Sequence, residues 1–206
     1  MKLNSLKKNY GLLLVLGIIW GSSFILMKKG IIVFSPKEVA MLRLGIAWLT
    51  LLPFTFKSIK KIPKKAWKPL AIVGLFGNGI PAFLFTEAQS VLDSSLIGIL
   101  NALVPLFTFL IAVFVFKSKW KISNLVGIFI GLTGAIWLIA SGGLVLDQTH
   151  YAWLIVIATL CYSISLNTIK VYLQKMSSVQ ISSYAFMFVG PPCILGLAFS
   201  DFYPTL

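Results

Sequence analysis

The feature that most constrains this chain is a series of long apolar runs with hardly a charge inside them. Seven are evident, at 10–27, 39–56, 68–86, 94–116, 122–141, 151–169 and 181–200. A helix needs about 20 mostly apolar residues to cross a bilayer. In lipid every backbone polar group must pair internally, so only helices and closed barrels can span. Barrel strands alternate over short segments, whereas these runs are long and unbroken. The expected fold is all-α, a polytopic transmembrane helix bundle with seven spans. Composition agrees: 58% of residues are hydrophobic and 11% charged, against about a quarter charged in soluble domains. The first run is not a cleavable signal, because Lys28-Lys29 follows it in place of a small-residue cleavage site.

A net charge of +13 raises nucleic acid as a partner, but the position of the charge argues otherwise. With a cytoplasmic N-terminus, fourteen lysines fall on the inner side: Lys2, Lys7, Lys8, Lys57, Lys60, Lys61, Lys64, Lys65, Lys68, Lys117, Lys119, Lys121, Lys170 and Lys175. Only Lys28, Lys29 and Lys37 fall outside. This is the positive-inside bias, and attraction to anionic headgroups is secondary to it. No aromatic-basic interleaving or DNA-binding motif points to nucleic acid. Cys161 and Cys193 lie inside spans, there is no CxxC, and the lone His150 lies in a loop. No metal site and no cofactor are expected.

The chain divides at "GGLVLDQTH" (142–150), giving units 1–142 and 143–206. A shift of 142 residues lays 20–39 over 162–181, so that Ser23 meets Ser165, Lys28 meets Lys170 and Ser35 meets Ser177. The stronger evidence is layout: each unit opens with a long span, a short lysine- and serine-bearing loop, and another span. Five spans separate the two starts, so the second unit enters the membrane from the opposite side. Inverted repeats of this kind build many secondary transporters.

Several residues sit where hydrocarbon penalises them. Gly77, Gly79 and Pro81 interrupt the third span, because proline removes a donor and kinks a helix. Asn78 and the freed carbonyls either face a substrate or bond a neighbouring helix. Glu87 lies near the outer end of that span, as a partner for a cationic substrate, a proton carrier, or an interfacial acid beside Asp93. Arg43, four residues into the second span, holds an anionic group, snorkels outward, or pairs with Glu38. Trp20, Ser22, Ser23, Asn101, Ser163, Ser165 and Asn167 lie within the first, fourth and sixth spans. Each can be helix glue; as a set with Asn78 they outline a central cavity. Gly17/Gly21 and Gly127/Gly131 read as close helix contacts. Gly190-Pro191-Pro192 reads as a break in the seventh span.

"IIWGSSFILMKKGI" (18–31) followed by "SPKEVAMLRLGIAWLTLLP" (35–53) resembles the start of an EamA domain of the drug/metabolite transporter superfamily. Trp20-Gly21-Ser22 matches the family's first-helix motif, and Arg43 matches its second-helix arginine. Pro105 matches the fourth-helix proline, and "GIFIGLTGAIWLI" (127–139) resembles the glycine-rich fifth helix. The acid that many members carry at the end of the fourth helix is replaced here by Phe116-Lys117-Ser118-Lys119. Members usually have ten helices in two five-helix repeats, so a C-terminally truncated or short form is expected. The resemblance implies an inner-membrane carrier of small metabolites or drugs, exporting by alternating access. A non-transporting or partner-dependent half, with a homodimer as one arrangement, is the alternative. A membrane enzyme is disfavoured, since paired intramembrane acids, HExxH and GxSxG are all missing.

The charge bias makes a direct prediction. Alkaline phosphatase fused after Lys65 should be inactive, and fused after Asp93 active. The reverse pattern would turn the topology over.

Overall fold

A computed structural model of the chain describes residues 2–58, 62–119, 121–141 and 149–200. The described residues form helices and no strands. The proposed division point at 142–148 lies outside the described residues.

Helix α1 (Lys2–Val33) leads through a tight turn into α2 (Pro36–Ser58). The turn is a capping box. The Glu38 carboxylate accepts from the Ser35 N–H and hydroxyl, both at 2.8 Å, and Ser35 Oγ accepts from the Glu38 N–H at 3.3 Å. This settles two of the donors that a helix start leaves unpaired, and Pro36 starts the helix where its missing N–H costs nothing.

The third span runs from Lys64 to Val91 in pieces: a short 3₁₀ turn, α3 (Trp67–Gly74), a π-helical turn (Leu75–Gly79) and α4 (Ile80–Val91). The π turn has a local cause. The Pro81 ring would collide with the carbonyl of Gly77, and widening the preceding turn relieves it. The fourth span is α5 (Ser94–Asn101) and α6 (Val104–Phe114), parted at Ala102-Leu103 because Pro105 offers no N–H to Asn101. After α6 the chain turns at Lys117, whose φ is 50°.

Three helices follow: α7 (Ile122–Ser141), α8 (Thr149–Tyr172) and α9 (Ser178–Ala198). A second capping box opens α9. Ser177 Oγ accepts from the Gln180 N–H at 3.3 Å, and Gln180 Oε1 accepts from the Ser177 N–H at 3.0 Å. Ser35 and Ser177, which the 142-residue shift superimposes, therefore do the same work at the starts of α2 and α9.

Among the described residues six helical stretches are long and apolar enough to cross a membrane, and a shorter apolar stretch, Ile122–Gly134, lies within α7. Their order follows the expected spans. Three buried clusters hold the bundle, and each includes residues of the third span. Leu70 and Val73 pack with Leu173, Tyr184 and Ala185. Phe85, Ala88 and Leu92 pack with Ile97, Ile155 and Ala158. Ala82 packs with Ala40, Leu44, Val189 and Cys193.

Helices α2 and α9 run antiparallel. A Cβ built on Gly190 would lie 2.2 Å from the Trp48 side chain, and one on Gly196 would lie 2.7 Å from Met41 Sδ. The helix continues through Pro191 and Pro192, so the expected break is absent. Gly190 is a site of close approach, not a hinge. The Gly17/Gly21 and Gly127/Gly131 pairs also depart from expectation, since an added Cβ at any of the four meets nothing within 4 Å. The close contacts are made by other glycines. At Gly74 a Cβ would sit 2.4 Å from the Ala185 carbonyl oxygen, and at Gly77 2.3 Å from Ser165 Oγ.

These contacts set opposite expectations for one substitution. Gly74→Ala must push apart two backbones and should cost about 1–3 kcal/mol. Gly17→Ala should be neutral or slightly stabilising, since alanine favours the helix. Unfolding in detergent with rising dodecyl sulfate measures both.

Candidate functional site

Polar side chains at membrane depth gather around α8. The Ser163 hydroxyl, fully buried, lies within hydrogen-bonding distance of the carbonyl of Val104 (3.1 Å) and of Thr159 in its own helix (2.7 Å). Thr108 Oγ1 lies 3.2 Å from it and can donate to it. One turn on, Asn167 Nδ2 donates to the carbonyls of Thr108 at 3.0 Å and Ser163 at 2.9 Å. A polar ladder thus zips α8 to α6 just past the break at Ala102-Leu103. Hydrocarbon supplies no competing partner, so these bonds hold two helices in register.

A second polar cluster ties α1 to the C-terminal end of the third span. Lys28 Nζ donates to the carbonyls of Gln89 (2.9 Å) and Leu92 (3.3 Å). A helix leaves its last carbonyls unpaired and carries partial negative charge there. A lysine from the neighbouring helix answers both. Gln89, fully buried, returns the link by donating from Nε2 to the Phe24 carbonyl at 2.8 Å. From Tyr10 to Ser22 every residue of α1 is exposed, and α1 is bonded to other helices at Phe24, Met27 and Lys28.

The third cluster surrounds Arg43. Its guanidinium donates to Met27 Sδ on α1. The Tyr162 ring packs on Phe85 at 5.8 Å between centroids, and Phe85 packs on Phe24 at 6.2 Å. Pairing of Arg43 with Glu38, one of the expected alternatives, does not occur, because Glu38 is committed to the α2 capping box.

The remaining residues scatter. Trp20 is 63% exposed. Ser22 is exposed and bonds the Ile19 carbonyl in its own helix; Ser23 is half-buried. Asn78 Nδ2 donates back to the Val73 carbonyl of α3 at 3.3 Å, within its own span, and Pro81 is buried. Ser165 meets Gly77. Asn101 is half-buried, with its Oδ1 among the buried atoms that lack a hydrogen-bond partner among the described residues. Glu87 is half-buried, one turn from the C-terminal end of α4. The structure brings Ser163 and Asn167 together and leaves Trp20 and Ser22 on an open face. Among the described residues no three His, Cys, Asp or Glu side chains converge as metal ligands.

Four contributors carried no distinct sequence signal: Thr108, Gln89, Tyr162 and Phe85. Each is an ordinary residue of an apolar helix until the neighbour it meets is known. Lys28 was legible as an outer-side charge but not as a helix cap.

A family model described as the EamA-like transporter family matches residues 7–140. The uncharacterized inner membrane transporter YedA of Escherichia coli K12 is 34% identical over 151 residues, covering 70% of this chain and 47% of YedA. The uncharacterized transporter YyaM of Bacillus subtilis is 32% identical over 142 residues, covering 66% of this chain and 45% of YyaM. An uncharacterized transporter of Archaeoglobus fulgidus is 23% identical over 178 residues, covering 84% and 61%. The chain thus spans about half the length of the first curated relatives it matches. No solved structure matches it.

The ladder and the open face differ in what a substitution should do. Asn167→Leu removes the link between α8 and α6 and should destabilise the protein by about 1–2 kcal/mol. Ser22→Ala should stay within about 0.5 kcal/mol. Equal effects in a detergent unfolding series would mean that the ladder does not hold the helices.

Proposed function

This chain belongs to the EamA-like transporter family, and from that premise we propose that it works as a secondary-active carrier moving small metabolites or drugs outward across the inner membrane by alternating access. It is an integral membrane protein of transporter type. The observation that best supports the mechanism is the interruption of two neighbouring spans. The third span is broken at Leu75–Gly79 and the fourth at Ala102-Leu103, and both pack on α8. Irregular backbone at membrane depth survives where it is sheltered by protein or lines a cavity, and discontinuous helices are where transporters place substrates.

A further feature supports the reading. The matching capping boxes at Ser35 and Ser177 suit an inverted second unit starting at α8. A homodimer is the assembly we propose, and native mass spectrometry in detergent distinguishes it from a single copy.

Counterflow in proteoliposomes tests the proposal. Proteoliposomes are loaded with unlabelled amino acids, nucleosides or amphipathic drugs in turn, and uptake of the labelled solute from outside is followed. At least one solute should show saturable counterflow, and Pro105→Ala, which heals the break, should slow it at least about tenfold, the scale of one misplaced element. Correctly folded protein that moves nothing would favour the non-transporting alternative. Glu87→Gln in the same assay reads its role. A changed pH profile marks it as the carrier of a coupling proton, and an unchanged one leaves it an interfacial acid.

A further inference from the structure

Helix α4 stops at Leu92, whose backbone is extended (φ −81°, ψ 152°). The chain turns away there, so the Gln89 carbonyl loses the Asp93 N–H that a continued helix would have supplied. Lys28 of α1 takes its place. It donates to the carbonyls of Gln89 at 2.9 Å and Leu92 at 3.3 Å, where the helix end carries partial negative charge. Gln89 answers from α4. Its Nε2 donates to the Phe24 carbonyl at 2.8 Å and to Ser94 Oγ, at the start of α5, at 2.9 Å. Met27 adds a weaker tie, since the sulfur that accepts from Arg43 is a poor acceptor. The segment Phe24–Lys28 thus ties α1 to the corner where α4 passes into α5.

What lies beneath this segment is apolar. Phe24 packs against the cluster of Phe85, Ala88, Leu92 and Ile97, its ring 6.2 Å from that of Phe85. Ala88, Leu92 and Ile97 are fully buried. The ties above them are those of a reversible closure. Lys28 meets neutral carbonyls and not a carboxylate, and its side chain is half-buried. Such an ammonium exchanges carbonyls for water at small net cost, because one set of hydrogen bonds replaces the other. The closed arrangement also strands an acceptor. Gln89 is fully buried, and its Oε1 has no hydrogen-bond partner among the described residues. Turning the amide over does not relieve it, since the Phe24 carbonyl only accepts and needs Nε2 where it is. An unmet buried acceptor opposes closure, and water reaching it on opening removes that opposition.

We infer that Phe24–Lys28 is a strap that closes this end of the bundle by docking Lys28 on the terminus of α4, and that it lifts when this end opens. The inference gives the alternating-access carrier proposed above a named gate and rests on that reading.

Two reporter cysteines test it in the full chain, held in lipid nanodiscs and carrying Cys161→Ala and Cys193→Ala. Ala88→Cys lies beneath the strap, and Ala66→Cys lies at the opposite end of the third span, also buried. The rate of reaction with a water-soluble maleimide is measured at each. Lys28→Met keeps the stem and removes the donors. It should speed labelling of Ala88→Cys about tenfold or more, the scale of one charged hydrogen bond, and leave Ala66→Cys within about twofold. Lys28→Arg keeps a charged donor and should restore slow labelling. Ile97→Cys, on α5 in the same cluster, carries the test if circular dichroism shows that Ala88→Cys does not fold. The inference is overturned if Lys28→Met leaves labelling at this end unchanged. It is also overturned if both reporters speed up equally, which is general loosening of the bundle, or if Lys28→Arg labels as fast as Lys28→Met. Selective labelling in a protein that shows no counterflow would remove the transport reading and leave the strap. Counterflow by a Lys28→Met protein in which both reporters stay slow would do the opposite.

Discussion

The interior of this bundle depends on how closely the third span approaches α8 and α9. Lipid is as apolar as leucine, so the hydrophobic effect that drives soluble cores does little to bring these helices together. What remains is van der Waals contact and hydrogen bonding, and both grow as backbones close in. Gly74 and Gly77 remove the side chains that would hold the helices apart, against Ala185 and Ser165 respectively. Each of the three buried clusters then includes part of the third span. Gly190 against Trp48 repeats the device between α2 and α9.

The second organising fact is the fate of backbone carbonyls at helix ends and breaks. A carbonyl without a partner costs several kcal/mol in hydrocarbon. Here side chains answer them. Asn78 serves Val73 within its own span, Ser163 and Asn167 serve Val104 and Thr108 beside the proline break, and Lys28 serves Gln89 and Leu92 at the end of α4. Most of these bonds cross between spans, so the same groups that make the interruptions tolerable also fix the helix arrangement. A carrier working by alternating access would have to keep or exchange these bonds as it moves, which makes the α1–α4 attachment and the α6–α8 ladder the natural boundaries between moving parts.

Arg43 stands apart from this pattern. The polar groups just described are neutral or sit at helix ends, and they find partners inside the chain. Arg43 carries a full charge inside a span and has a methionine sulfur as its hydrogen-bond partner.

The order of the spans and the interruption at Pro81 were legible in the amino-acid sequence, because they are one-dimensional. Span length follows from bilayer thickness, and a proline break acts within one turn of itself. Which glycines touch a neighbour was not legible. Gly17, Gly21, Gly127 and Gly131 have the right spacing and face open space, while Gly74 and Gly77 make the contacts. Spacing along a helix tells which residues share a face, but not whether another helix lies there. For the same reason the polar residues of the first, third, fourth and sixth spans looked like one set, and the fold divided them. Ser163 and Asn167 went to a helix contact, Asn78 to its own span, and Trp20 and Ser22 to an open face. The sequence alone determined a polytopic helical membrane protein and the interruption of its third span. Only the tertiary structure decided which side chains meet, because in lipid any face of an apolar helix can be buried, and the choice is made by the fit between neighbours.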